Sequence, residues 1–108
     1  MIRGTTPTIT MKLPSNVSVS DIATAVVSIQ QVGRKEKIDK KFTEKDKDNI
    51  DTVKNCLMVT LSQEETLSLF AQKTTNLQLK VKFKDGTVSA TYPMPIAVVD
   101  IINEEVIL

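Results

Sequence analysis

The chain has 108 residues, a formal net charge of +1, 41% apolar and 25% charged side chains, and no histidine. That length suits one domain with a single modest core, and so small a net charge gives no global field toward nucleic acid or a membrane surface. The missing histidine excludes Ser-His-Asp and Cys-His nucleophile systems, a histidine general base and histidine metal ligands, and aromatic residues at 4% leave few stacking platforms for single-stranded nucleic acid or sugars.

In chain order, residues 1–7 form an arm in which Arg3 to Pro7 is too polar for core. Thr8 to Leu13 then alternates strictly, with Ile9, Met11 and Leu13 on one face and Thr8, Thr10 and Lys12 on the other, and stops at Pro14. This is the pattern of a strand at a sheet edge. Ile22 to Val32 is rich in β-branched residues and ends at Gly33, which predicts a second strand and a turn. A helix over Asp21 to Gln31, capped by Asp21, is the alternative. Lys35 to Phe42 carries only Ile38 and Phe42 as apolar residues, four apart and on one strand face, as expected for a half-wet partner of the second strand.

Thr43 to Lys54 is the most polar stretch and predicts a loop or the wide end of a hairpin, of mixed charge. Asp46, Asp48 and Asp51 invite a test as a calcium loop, but Ile50, Asp51 and Leu57 fall where the EF-hand requires an oxygen ligand, glycine and glutamate. The match fails. Asn55 to Leu61 returns to strand character, and within it Cys56, the one cysteine, reads as a small strand residue and not as a reactive thiol. A lone cysteine permits neither an intrachain disulfide nor a multi-cysteine zinc site, and it fits synthesis in a reducing compartment. Ser62 with Glu65 three residues on has the spacing of a capping box and predicts a short helix from Gln63 to Phe70. The adjacent Glu64 and Glu65 are explained there by the helix dipole.

Leu77, Leu79, Val81 and Phe83 alternate with Gln78, Lys80, Lys82 and Lys84, and Asp85-Gly86 follows as a two-residue hairpin turn. Counting outward from that turn pairs Phe83 with Val88, Lys82 with Ser89, Val81 with Ala90 and Lys80 with Thr91. Lys80, Lys82 and Lys84 would then form a basic stripe opposite Thr87, Ser89 and Thr91, open to phosphate or an acidic partner, or simply solvated. Pro93 and Pro95 end or bend the second arm, Ile96 to Ile102 predicts a last strand, and Asn103-Glu104-Glu105 leads into the apolar end Val106-Ile107-Leu108. That end must dock on its own sheet or find another subunit. About seven short strands and one short helix suggest an all-β fold, an immunoglobulin-like antiparallel sandwich spanning 1–108 with the helix joining the sheets at one end. A five-stranded barrel is the alternative. No apolar span is long enough for a signal core or a membrane helix.

Four stretches carry a resemblance. MIRGTTPTITMKLP, LSQEETLSLF, NLQLKVKFKDGT and the ending NEEVIL are similar to the M-[IL]-R-G-T-T-P-T opening, the L-T-Q-E-E-T run, the I-Q-L-R-V strand with a DG turn and the D-x-E-V-[IL] terminus of a family. Its members are small proteins of prophages and phages of Gram-positive, gut-dwelling bacteria. The segment from Gln31 to Val53 is longer and more charged than that family's. The resemblance implies a structural or accessory component of a tail or baseplate, made in the bacterial cytoplasm and destined for the virion. It supplies no catalytic residues.

The expectation is therefore a protein that is not an enzyme and takes no cofactor. Its partners would be other phage structural proteins or further copies of itself, with neither nucleic acid nor membrane among them. The candidate contact residues are Arg3, Thr5 and Pro7 of the arm, Lys80, Lys82 and Lys84 of the stripe, and Val106, Ile107 and Leu108 of the tail. The arm is expected to lie along its own sheet in preference to a neighbour's. A soluble host-directed module gripping an acidic partner with the lysine stripe or the Thr43 to Lys54 loop is the alternative.

Overall fold

The computed structural model describes residues 1–107. Strand β1 is Thr8–Lys12, followed by a 3-10 turn at Val19–Asp21 and by β2, Ile22–Gln31. The β-branched content of 22–31 decides against the helical alternative. Strands β3 (Lys37–Thr43), β4 (Ile50–Asp51) and β5 (Cys56–Thr60) come next, then helix α1 (Gln63–Leu67). Strands β6 (Thr75–Phe83), β7 (Val88–Ala90) and β8 (Met94–Ile96) complete the set.

The strands form two antiparallel sheets. One has the order β1-β5-β4, and the other β3-β2-β6-β7, with β8 also on β6. The chain changes sheet between β1 and β2, between β3 and β4, and between β5 and β6, where α1 makes the crossing. This is the immunoglobulin arrangement, in which β1, β5 and β4 stand as B, E and D, and β3, β2, β6 and β7 stand as C′, C, F and G. The isolated parallel bridge from Ile2 to Val99 ties the arm to the segment that follows β8.

Alternation puts Ala25, Val27 and Ile29 of β2, Leu77, Leu79 and Val81 of β6, and Leu57 and Val59 of β5 into one shared core. Met11 closes it from β1 and Phe42 from β3. Cys56 is buried and free. No helix among the described residues is long and apolar enough to cross a membrane.

Four sequence expectations need correction. The β6–β7 register is shifted by one, with Lys80 opposite Ala90, Val81 opposite Ser89 and Lys82 opposite Val88. Asp85 keeps negative φ and spends its carboxylate on the Thr87 N–H and hydroxyl (2.9 and 2.6 Å), so only Gly86, at φ +92°, turns left-handed. The Gly86 N–H bonds to the Phe83 carbonyl and the Phe83 N–H to that of Thr87, which makes a three-residue loop in place of a two-residue turn. The lysines therefore face Val88 and Ala90, and not Ser89 and Thr91.

Ile96 to Ile102 is not a strand. Ile96 lies opposite Thr75, the first residue of β6, so the residues after it have no strand beside them, and β8 instead takes in Pro95 at a sheet edge, where a missing N–H is tolerated. The helix stops at Leu67 and not at Phe70, because the Leu69 N–H closes a tighter bond to the Thr66 carbonyl and the Phe70 N–H turns away to Gln31 Oε1. Finally, the loop of 43–54 contains the two residues of β4 and a 3-10 turn at Lys47–Asn49.

Candidate interaction surfaces

Every residue of the opening Arg-Gly-Thr-Thr-Pro run except Thr6 has a contact within the fold. The Arg3 N–H bonds to the Val99 carbonyl at 2.9 Å, and the Val99 N–H to the Met1 carbonyl at 2.7 Å. Gly4 has φ +75°, and a Cβ there would lie 3.2 Å from Leu67 Cδ2. The Thr5 hydroxyl donates to the Ile2 carbonyl, and the Thr5 carbonyl accepts from the fully buried Thr66 hydroxyl at 2.9 Å. The Pro7 carbonyl accepts from the Leu61 N–H at 3.0 Å. The arm thus packs on its own domain.

Arg3 joins three segments. Its Nε donates to the Leu69 carbonyl at 2.6 Å and its Nη2 to the Leu67 carbonyl at 3.0 Å. Its Nη1 meets Asp100 at 2.7 Å and Glu104 at 2.6 Å. The side chain is only 13% exposed. Hydrogen bonds from the Ile101 N–H and then from Arg3 hold the Asp100 carboxyl below its ordinary range.

Arg34 does the matching job from the other side, donating to the Ser68 carbonyl at 2.7 Å and to Gln31 Oε1 at 3.1 Å, with its guanidinium 4.5 Å from the Phe70 ring centroid. Helix α1 has no basic residue in its last turn. Arg3 and Arg34, the two arginines of the chain, supply the positive charge that its C-terminal end favours. Between them Gln31, 2% exposed, binds both the N–H and the carbonyl of Phe70 (2.9 and 2.7 Å) and the Thr75 hydroxyl at 3.0 Å. At the helix N-terminus the capping box forms as its spacing predicts, and Glu65 also accepts from Lys40 at 2.9 Å.

At the chain end, Val106 is half-buried and Ile107 exposed. The Gln63 side-chain amide clamps the Ile107 backbone, accepting from its N–H at 2.9 Å and donating to its carbonyl at 2.7 Å. Leu108 lies outside the described residues.

The lysine stripe belongs to a wider surface. Lys80 and Lys82 point outward from β6, and the register places Lys80 and Lys41 on either side of Val26, with Lys37 two rows along opposite Gln30. Lys37, Lys41, Lys80 and Lys82 are all exposed, and Asp39, hydrogen-bonded by the Ser28 hydroxyl at 2.6 Å, is the carboxylate among them. Lys84 stands apart, its ammonium 3.3 Å from Glu44. Sequence reasoning missed Lys37 and Lys41 because their face is defined only once β3 is registered against β2.

A depression of about 740 Å³ opens beside the short β4, between β3 and β5, with Phe42, Val59, Asp46 and Asp48 in its lining. Asp46 caps the Thr43 N–H and Asp51 those of Val53 and Lys54, so these carboxylates serve turns. No protein-family model matches the chain, and no curated protein matches it.

Proposed function

We propose that the chain is a non-enzymatic assembly component of a phage or prophage particle, a tail or baseplate module that works through contacts with other structural proteins or with its own copies. The reading draws on the resemblance of the opening, helix, hairpin and terminal motifs. The observation that carries it is the use of the termini. The arm and the tail segment close onto α1 through Arg3 and Gln63, so contacts with neighbours would fall to the β1 edge and the broad outer sheet face. Mass spectrometry of gradient-purified particles from a host carrying the gene tests it. The chain should be present at a fixed ratio to tail proteins, and absence at any copy number sinks the proposal.

The exposed Lys37, Lys41, Lys80 and Lys82 favour a second reading, a host-directed module that captures an acidic protein. Combined Lys37→Glu, Lys41→Glu, Lys80→Glu and Lys82→Glu substitutions should then abolish capture from host lysate. Unchanged capture removes the stripe from consideration.

A further inference from the structure

The free edges of the two sheets are not equally protected. Natural sheets block edge pairing with charges, prolines, bulges or short strands. The β3 edge carries Lys37, Asp39, Lys40 and Lys41. The β7–β8 edge is interrupted between Ala90 and Met94 and contains Pro95, and β4 has two residues. The β1 edge has none of these devices within its sequence TITMK beyond Lys12 at its last position. In the immunoglobulin arrangement this edge is covered by a further strand, but here the arm bonds to Val99, in the segment that follows β8.

The direction of the β1 backbone groups follows from parity. Leu61 donates its N–H to Pro7 on the β1 side, whereas the Met58 carbonyl accepts from Asn49 on the β4 side. Odd residues of β5 therefore bond to β1. Their register partners Ile9 and Met11 face β5, and the N–H and C=O groups of Thr8, Thr10 and Lys12 face outward. Among the described residues no partner bonds these groups.

We propose that β1 pairs antiparallel with β1 of a second copy about a two-fold axis through Thr10, joining two three-stranded sheets into one. The strand is self-complementary in this register. Thr10 meets Thr10, Thr8 meets Lys12, and about six backbone hydrogen bonds form. On the inner face Ile9, half-buried in the single chain, meets Met11 of its mate. Lysine meets threonine at both ends, so no like charges oppose each other. Pro7 and Pro14 bound the strand on each side and limit the ladder, and a two-fold contact uses up both edges, so assembly closes at the dimer. The proposal stands apart from the particle reading, because the purified chain suffices to test it.

Sedimentation velocity of the full chain from about 10 µM to about 1 mM should show a reversible monomer–dimer equilibrium, the range expected for a small interface. Thr10→Lys sets two ammonium groups against each other across the axis and should raise the dissociation constant by up to about fivefold, while Lys35→Glu, at an exposed position away from β1, leaves it unchanged. Hydrogen exchange on the unsubstituted chain gives an independent reading, since the Thr8, Thr10 and Lys12 amides should slow as concentration rises. A chain monomeric throughout, a dimer indifferent to Thr10→Lys, or edge amides whose exchange ignores concentration overturns the proposal. Edge protection that needs a different particle protein also overturns it and assigns the edge to that protein.

Discussion

Removing the Arg3 side chain tests whether the opening motif serves the fold. Arg3→Ala deletes the donors to the Leu67 and Leu69 carbonyls, the latter on a residue only 3% exposed. A hydrogen bond from a charged donor contributes about 1.5–3 kcal/mol, and a carbonyl stranded without water costs a similar amount. The ion pairs add little, because Asp100 and Glu104 are 66% and 60% exposed. The expected destabilisation is about 2–4 kcal/mol, a fall in melting temperature of about 8–16 °C for a domain of this size. Arg3→Lys keeps the charge but cannot span both carbonyls, and it should lose at least half as much. Thermal unfolding followed by circular dichroism reads both. A melting temperature for Arg3→Ala within about 2 °C of the parent refutes the reasoning, because surface substitutions without buried partners have effects of that size.

Gln31→Ala leaves the Phe70 N–H and carbonyl unpaired and opens a cavity, so chemical denaturation should show a loss of about 2–4 kcal/mol. At Gly86 a Cβ meets nothing within 4 Å, so Gly86→Ala should cost only about 1 kcal/mol of backbone strain. Gly4→Ala should cost more in the same measurement, because the added Cβ also presses on Leu67. Burial raises the Glu65 carboxyl, but hydrogen bonds from Lys40 and the Ser62 N–H outweigh it and hold the group below its ordinary value. Its stabilisation is complete above the unfolded value of about 4.3 and is lost as pH falls through the lowered folded value. Urea midpoints should therefore drop between about pH 5 and 3, and less steeply in Glu65→Gln.

Much of this architecture is legible without coordinates, because strand alternation and capping chemistry are local. The alternating runs Thr8 to Leu13 and Leu77 to Phe83 and the box at Ser62 and Glu65 show themselves by residue type alone. The hairpin register does not, since Asp85-Gly86 suits a two-residue turn and a three-residue loop alike, and the Asp85–Thr87 hydrogen bonds select the second. The apolar run from Ile96 to Ile102 misleads for another reason. Composition favours a strand, but a strand needs a partner, and β6 starts opposite Ile96. The Arg3 cluster joins residues about a hundred positions apart in sequence, and no periodicity reports that. Its one trace is the choice of arginine at 3 and 34 in a chain whose other basic residues are lysines. The forked guanidinium suits paired carbonyl and carboxylate oxygens better than an ammonium does.

Amine-directed cross-linking of intact purified particles, read by mass spectrometry, tests the assembly role most directly. The account predicts that the chain is recovered from particles and that Lys37, Lys41, Lys80 or Lys82 is cross-linked to neighbouring structural proteins. Particles that lack the chain, or a chain recovered with no cross-link to any other particle protein or to a second copy, would contradict it.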